Sequence, residues 1–181
     1  MKVSVFIATS LDGYIARIDG DIDWLDRANE NVPAGEDCGY NQFIESVDAL
    51  VMGRNTFEKV LSFRDWPYSL KPVIVLSHSM ISIPSSISKT VSATSEHPRV
   101  LVDRLAKNGV THLYVDGGLV IQSFLREALI DEITITVIPV LLGSGKSLFG
   151  SLNHDIELVH ITTKTYEFGF VQSKYRVVKN T

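Results

Sequence analysis

The chain carries one cysteine, Cys38, in 181 residues, which excludes an intrachain disulfide framework. It has no basic run: 17 Lys and Arg stand against 21 Asp and Glu, a formal net charge of −4. Broad binding along nucleic-acid phosphates needs a positive face that this balance does not supply. One local anion site remains compatible with it. Long apolar runs are missing too. Nothing approaches the ~18 apolar residues of a membrane span. The first run, residues 3–8, is strand-length and too poorly flanked for a signal peptide. A soluble cytoplasmic protein is the expectation. His78, His97, His112, His154 and His160 form no close pair with one another or with Cys38, so no metal site is expected. The three-glycine dinucleotide fingerprint and the Gly-x-Ser-x-Gly nucleophile elbow are also absent.

What is present is a 45% hydrophobic, 21% charged composition, ordinary for a soluble globular protein. The length suits one domain over 1–181 with a sizeable core. Apolar runs at residues 3–8, 48–52, 73–77 and 111–115 read as buried strands. Between them, Tyr40, Phe43, Ile44 and Val47 share one helix face, and Pro98 and Gly109 bracket a second helix. A third helix follows Gly118. Residues 133–138 form a further strand, and 156–166 with 169–178 make a C-terminal hairpin. Strands alternate with helices for about the first 130 residues, and consecutive strands close the chain. This predicts an α/β three-layer sandwich with a mainly parallel central sheet and a C-terminal antiparallel hairpin.

Ligands of such sheets bind at the carboxyl ends of the strands. Here those ends are residues 9–13, Gly53-Arg54-Asn55-Thr56, Ser77-His78-Ser79 and Asp116-Gly117-Gly118, all small, polar or glycine-rich. The stretch at 46–58 is the most informative. A strand breaks at Gly53, and Asn55 or Thr56 is expected to cap a helix beginning near Phe57, with Glu58 as capping-box partner. Free N–H groups, the helix dipole and Arg54 then converge on one point suited to a phosphate. Alone, each corner is equally an ordinary βα turn. Gly145-Lys146-Ser147 mimics the end of a P-loop, but the glycine required five residues earlier is Val140, so a nucleotide triphosphatase is not expected. Phe63, Trp66 and Tyr68 are suited to wall a flat heterocycle or to cap a core. Asp12, Asp23, Asp26 and Asp37 are suited to orient a nitrogen heterocycle or to serve as turn and cap residues.

Residues 10–16 (Ser-Leu-Asp-Gly-Tyr-Ile-Ala), 48–58, 73–77, 115–118 and 139–145, in that order and spacing, resemble the dihydrofolate reductase-like superfamily. More narrowly, they resemble stand-alone relatives of the C-terminal reductase domain of the bifunctional riboflavin biosynthesis protein. The resemblance implies hydride transfer from NADPH to a flat nitrogen heterocycle. A 5-amino-6-(5-phosphoribosylamino)uracil reductase-like activity is the first expectation, with a dihydrofolate or pterin reductase, or a non-catalytic NADPH-binding module, as alternatives. It implies that Gly53, Arg54, Asn55 and Thr56 hold cofactor phosphates, with Arg54 on the 2′-phosphate. Ser77 and His78 would lie by the adenosine, Asp116, Gly117 and Gly118 at the pyrophosphate, and Ala8 and Ile15 beside the nicotinamide. Asp12, Trp24 and Tyr40 are the expected substrate contacts. Folate reductases carry an acid on the first long helix. Here that helix has only Glu45, off its apolar face, and Asp37 just before it takes the catalytic place. No zinc deaminase signature accompanies the domain. Such relatives often form homodimers.

Overall fold

The computed structural model describes residues 1–68 and 70–179. The chain runs β1 (Lys2–Ser10), β2 (Tyr14–Ala16), α1 (Asp23–Asn29), α2 (Tyr40–Ser46), β3 (Ala49–Gly53), α3 (Arg54–Leu61), β4 (Val73–Leu76) and β5 (Val91–Thr94). It continues with α4 (Pro98–Lys107), β6 (His112–Asp116), α5 (Gly118–Arg126), β7 (Glu132–Ile138), β8 (Lys146–Ser147), β9 (Leu158–Thr165) and β10 (Val171–Val177). Eight strands form one sheet in the order β5-β4-β3-β6-β1-β7-β10-β9, and β2 pairs with β8 in a small separate ribbon. The strands from β5 to β7 are all parallel, and β10 is antiparallel to both β7 and β9. The expected sandwich with a C-terminal antiparallel hairpin is therefore what forms.

Alternation along the strands builds the layers. In β3, Val51 joins one core cluster while Leu50 and Met52 join the other, as period-2 side chains must. Leu101 and Leu105 of α4 and Ile121 and Phe124 of α5 cover the first face, on Val3, Val5 and Val115. Phe57 and Val60 of α3, with Phe43 and Ile44 of α2, cover the second. Phe124 is fully buried, and Phe124→Ala would destabilise the fold by about 3–5 kcal/mol. A third cluster, Trp24, Ile138, Tyr166 and Phe170, lies beyond these layers, where α1 meets the hairpin.

The chain steps from β1 to β3, β4 and β5 in one direction, then returns through β6 to β7 in the other. The reversal puts a switch point near β6 and β1, where open α/β sheets bind ligands. Register aligns the carboxyl ends there: Met52 faces Asp116, Gly53 faces Leu76, and Ser10 faces Ile138.

Candidate functional site

The corner at Gly53 differs from its expectation in one respect. α3 begins at Arg54, directly after the extended Gly53, and no side chain caps it. Asn55 and Thr56 therefore lie inside the first turn rather than at a cap. Glu58 falls one turn after Arg54, with Oε1 3.8 Å from Arg54 Nε, so there is no capping box. The physical reason is that strand and helix join without a turn residue between them. The change favours an anion site, because the N–H groups of the first turn keep no side-chain acceptor. Arg54 is about half exposed and only loosely paired.

α5 starts at Gly118 after Gly117, also without a side-chain cap. Gly117 has φ +87°, and a Cβ there would collide with Thr56 Oγ1. Both features require glycine. The two helix N-termini thus touch, and their dipoles point at one region. At Gly118 a Cβ would sit 3.0 Å from Ile15 Cδ1 and from Ser147 O. The β2–β8 ribbon, where Tyr14 pairs with Ser147, carries Ile15 to this place. Gly53, Arg54, Thr56, Gly117, Gly118 and Ile15, far apart in sequence, therefore lie together at the carboxyl edge of the sheet. Ser77 lies beside Gly53 through the β3–β4 register, but its hydroxyl donates to Ser79 O at 2.7 Å and accepts from Ser79 N. His78 is exposed. A dinucleotide fits this set: the close backbone approach at Gly117 and the two uncapped termini suit phosphate oxygens.

Asp116 closes β6. Gly117 N–H donates to its Oδ1 at 2.8 Å, and among the described residues no cation pairs with it. Burial desolvates the carboxyl and pushes its pKa up to about 6. The neighbouring phenols of Tyr40, Tyr68 and Tyr114 each feel its charge. Burial also raises the Tyr40 and Tyr68 phenols, which lie within reach of one another. Tyr40 opens α2 and packs edge-on against Phe6, with ring centroids 5.8 Å apart.

The other expected carboxylates hold the chain itself. Asp12 accepts from Ser10 Oγ at 2.5 Å, Gly143 N at 2.7 Å and Leu142 N at 3.1 Å. Those bonds lower its pKa, the Ser10 hydroxyl most. Asp37 accepts from Asn41 N and Gly39 N, both at 2.8 Å, and is likewise held low. It therefore caps α2 as an ionised carboxylate, a poor proton donor. The P-loop mimic is a glycine turn: a Cβ at Gly145 would strike Ala16 O.

Trp24 is buried in α1 and lines a cavity of about 330 Å³ with Arg27, Asn31, Ile138, Phe168 and Phe170. Ala8 packs on the same aromatic cluster, so the cavity adjoins the place expected for the nicotinamide. Phe168 and Phe170 were not foreseen as site residues. Their only signal is three aromatics within Tyr166-Glu167-Phe168-Gly169-Phe170 at the hairpin tip. Trp66 and Tyr68 pack with Phe57 in the core, whereas Phe63 is exposed.

Comparison with known proteins adds the family. Residues 1–169 match the RibD C-terminal domain. An uncharacterized protein of Bacillus subtilis (strain 168), YwjB, is 38% identical over 168 residues, covering 91% of this chain and 92% of its own. A solved structure of a putative riboflavin biosynthesis protein from Shewanella sp. PV-4 is 43% identical with a TM-score of 0.92, over 99% of this chain and all of that one. A diaminohydroxyphosphoribosylaminopyrimidine deaminase/5-amino-6-(5-phosphoribosylamino)uracil reductase from Thermotoga maritima is 16% identical with a TM-score of 0.71, over 98% of this chain and 56% of that one. That last likeness is one of fold. The chain belongs to the RibD C-terminal domain family and has the dihydrofolate reductase-like fold its motifs led one to expect. The family is reductase-like, which supports an oxidoreductase class for this chain. Among the described residues, no helix is long and apolar enough to cross a membrane.

Proposed function

We propose that the protein is an NADPH-dependent reductase that transfers hydride to a flat nitrogen heterocycle of the aminopyrimidine or pterin kind. The observation that carries the reading is the contact of Gly117 with Thr56 beside the uncapped Gly53-Arg54 corner. It makes one anion cradle from two helix N-termini at the switch point of the sheet. NADPH, when bound, supplies the hydride. Gly53 to Thr56, Gly117 and Gly118 hold its phosphates, Arg54 reads the 2′-phosphate, Ser77 and His78 flank the adenosine, and Ala8 and Ile15 border the nicotinamide. Trp24 and Tyr40 contact the acceptor ring. Asp12 supports it indirectly, by fixing the loop at 139–145.

The proton that accompanies the hydride is assigned to Asp116, expected above at the pyrophosphate, because its charge reaches the phenol of the acceptor contact Tyr40, rather than to Asp37. Near neutral pH a carboxyl with a pKa of about 6 is partly protonated, as a general acid should be, whereas Asp37 is fixed as an ion by two backbone donors. The balance is NADPH plus a proton plus acceptor, giving NADP and reduced acceptor. Positioning of the two partners supplies most of the remaining acceleration.

We also propose self-association through the hairpin. All eight residues of β9 are exposed, Leu158, Val159 and Ile161 among them, and unprotected apolar edge strands tend to pair.

Thermal melting with and without NADPH tests the cofactor, because a ligand of the native state raises the Tm. No shift at millimolar NADPH would sink the reading. Arg54→Ala should weaken NADPH about tenfold or more, equivalent to at least about 1.4 kcal/mol, and leave NADH nearly unchanged. Equal losses would remove the 2′-phosphate role.

A further inference from the structure

Within the reductase reading above, we infer that Gln122 is a positioning residue for the nicotinamide side of the cofactor: it clamps the β2–β8 ribbon onto the first turn of α5 and so fixes Ile15 against Gly118.

Gln122 lies one turn after Gly118 in α5, so the two share a helix face. Its Nε2 donates to Ser147 O and to Leu148 O, both at 3.2 Å. Carbonyls only accept, so the pair requires the amide nitrogen at this place, and its two N–H groups match them one for one. The amide oxygen turns toward Gly150, where a Cβ would stand 2.5 Å from it. Glycine at 150 lets the chain close over this side chain.

The clamp reaches the site through short links. Ser147 pairs with Tyr14, and Leu148 N–H donates to Gly13 O at 3.0 Å. Both tie β8 to the segment that carries Ile15. The buried Leu148 side chain anchors the end of the ribbon in the core, and Gln122 holds its backbone. On the other side of the gap, Ile15 Cδ1 and Ser147 O each stand 3.0 Å from the place of a Cβ on Gly118. The ribbon therefore lies on α5 too closely for even a methyl group without a shift. None of these contacts involves residues 53–56, where the 2′-phosphate is placed above. Loosening the clamp should disturb the nicotinamide half of the cofactor and spare the phosphorylated adenosine half.

The test compares NADPH with 2′,5′-ADP, which keeps the phosphorylated adenosine and lacks the nicotinamide. Q122M keeps the length of the side chain and removes both donors, whereas Q122E sets acceptors against acceptors. In calorimetric titration Q122M should weaken NADPH about tenfold, the worth of the two hydrogen bonds, and Q122E more, while 2′,5′-ADP changes by less than about twofold. In the ligand-free variants the Leu148 amide should exchange its hydrogen about tenfold faster than in the parent. A merely structural side chain would weaken both ligands alike. Q122M that binds NADPH as the parent does, or that loses both ligands equally, overturns the inference, and so does an unchanged Leu148 exchange rate. A parent protein that binds neither ligand strikes the reductase reading itself, and the positioning role falls with it.

Discussion

At the amino-terminal edge of the sheet, Asp48 accepts hydrogen bonds from Thr111 N and Oγ1 at 2.7 Å and from His112 N at 2.9 Å. These bonds, the Thr111 hydroxyl most, lower its pKa to about 2. At the carboxyl edge of the same sheet, Asp116 has one backbone donor and a pKa pushed up to about 6. The contrast runs along both edges. On the first, Glu132 binds Lys2 and Lys174, Asp131 binds Lys179 and the Val3 N–H, and His112 bridges Ser4 and the Ser46 carbonyl. On the second, helix termini lack caps, Arg54 is loosely held and a carboxyl is desolvated. Groups on the first edge satisfy each other; on the second Asp12 and Ser77 do so too, but the helix termini, Arg54 and Asp116 do not. Under the proposed reductase reading, stability and function fall to opposite ends of the same strands.

Exchanging charge for a neutral isostere at each edge should break the comparison most sharply. Asp116→Asn should lower the hydride-transfer rate by about 10²–10⁴-fold, the usual contribution of a general acid, while raising the Tm, since a desolvated charge is removed. The parent rate should fall as pH rises through about 6, and the variant should lose that dependence. Single-turnover absorbance of NADPH over a pH series measures both. A variant that keeps the parent rate and pH profile would return the acid to another group.

Gly117→Ala ranks next. Contact with Thr56 and the φ of +87° should together weaken NADPH about 100-fold, or about 2.7 kcal/mol. Gly109 has a similar φ of +88° but no neighbour within 4 Å of a Cβ. Gly109→Ala should therefore lose about 1 kcal/mol of stability and leave NADPH binding unchanged. Calorimetric titration and melting of both variants check the pair.

Asp48→Asn should lower stability by about 1 kcal/mol, below the usual range for charged hydrogen bonds because the carboxylate is exposed, with no effect on NADPH. The smallest effect belongs to His112. Burial lowers its pKa, and its neutral form donates from Nδ1 to Ser46 O and accepts from Ser4 Oγ at Nε2. The unfolded chain therefore binds this proton first. Stability should begin to fall below about pH 6.5, the unfolded value, and level off once pH is below the folded pKa. His112→Gln should flatten that limb in urea titrations across the range.

The strand-end motifs were legible because glycine and short polar residues at the close of apolar runs report a backbone requirement directly. Gly117 is the clearest case: its sequence context names a βα turn, and the structure adds the Thr56 contact that forbids a side chain. The start of α3 was misplaced because Asn55 and Thr56 have cap-like side chains, whereas the chain caps with the bare backbone of Gly53. The cavity was half legible. Trp24 was singled out, but Phe168 and Phe170 reach it only through the pairing of β10 with β7, a contact across more than thirty residues that no local pattern encodes. Asp116 was placed at the site, yet its proton affinity depends on burial among phenols, and burial is a tertiary property.

β1 is flanked by β6 and β7, with Lys2 opposite His112 and Ser10 opposite Ile138. On a growing chain, β1 thus waits for both its neighbours until residues 112–138 have emerged. The α2–β5 stretch can assemble earlier, because β3, β4 and β5 pair in order of synthesis. The candidate site depends on β1, on β6 and on the clamp from Asp12 to Leu142 and Gly143 across about 130 residues. It is therefore a late product of folding, and long-range closure of this kind slows the search. A nascent or C-terminally shortened chain would expose β1 as an unpaired apolar strand, the form in which this sequence is most open to chaperones and to aggregation.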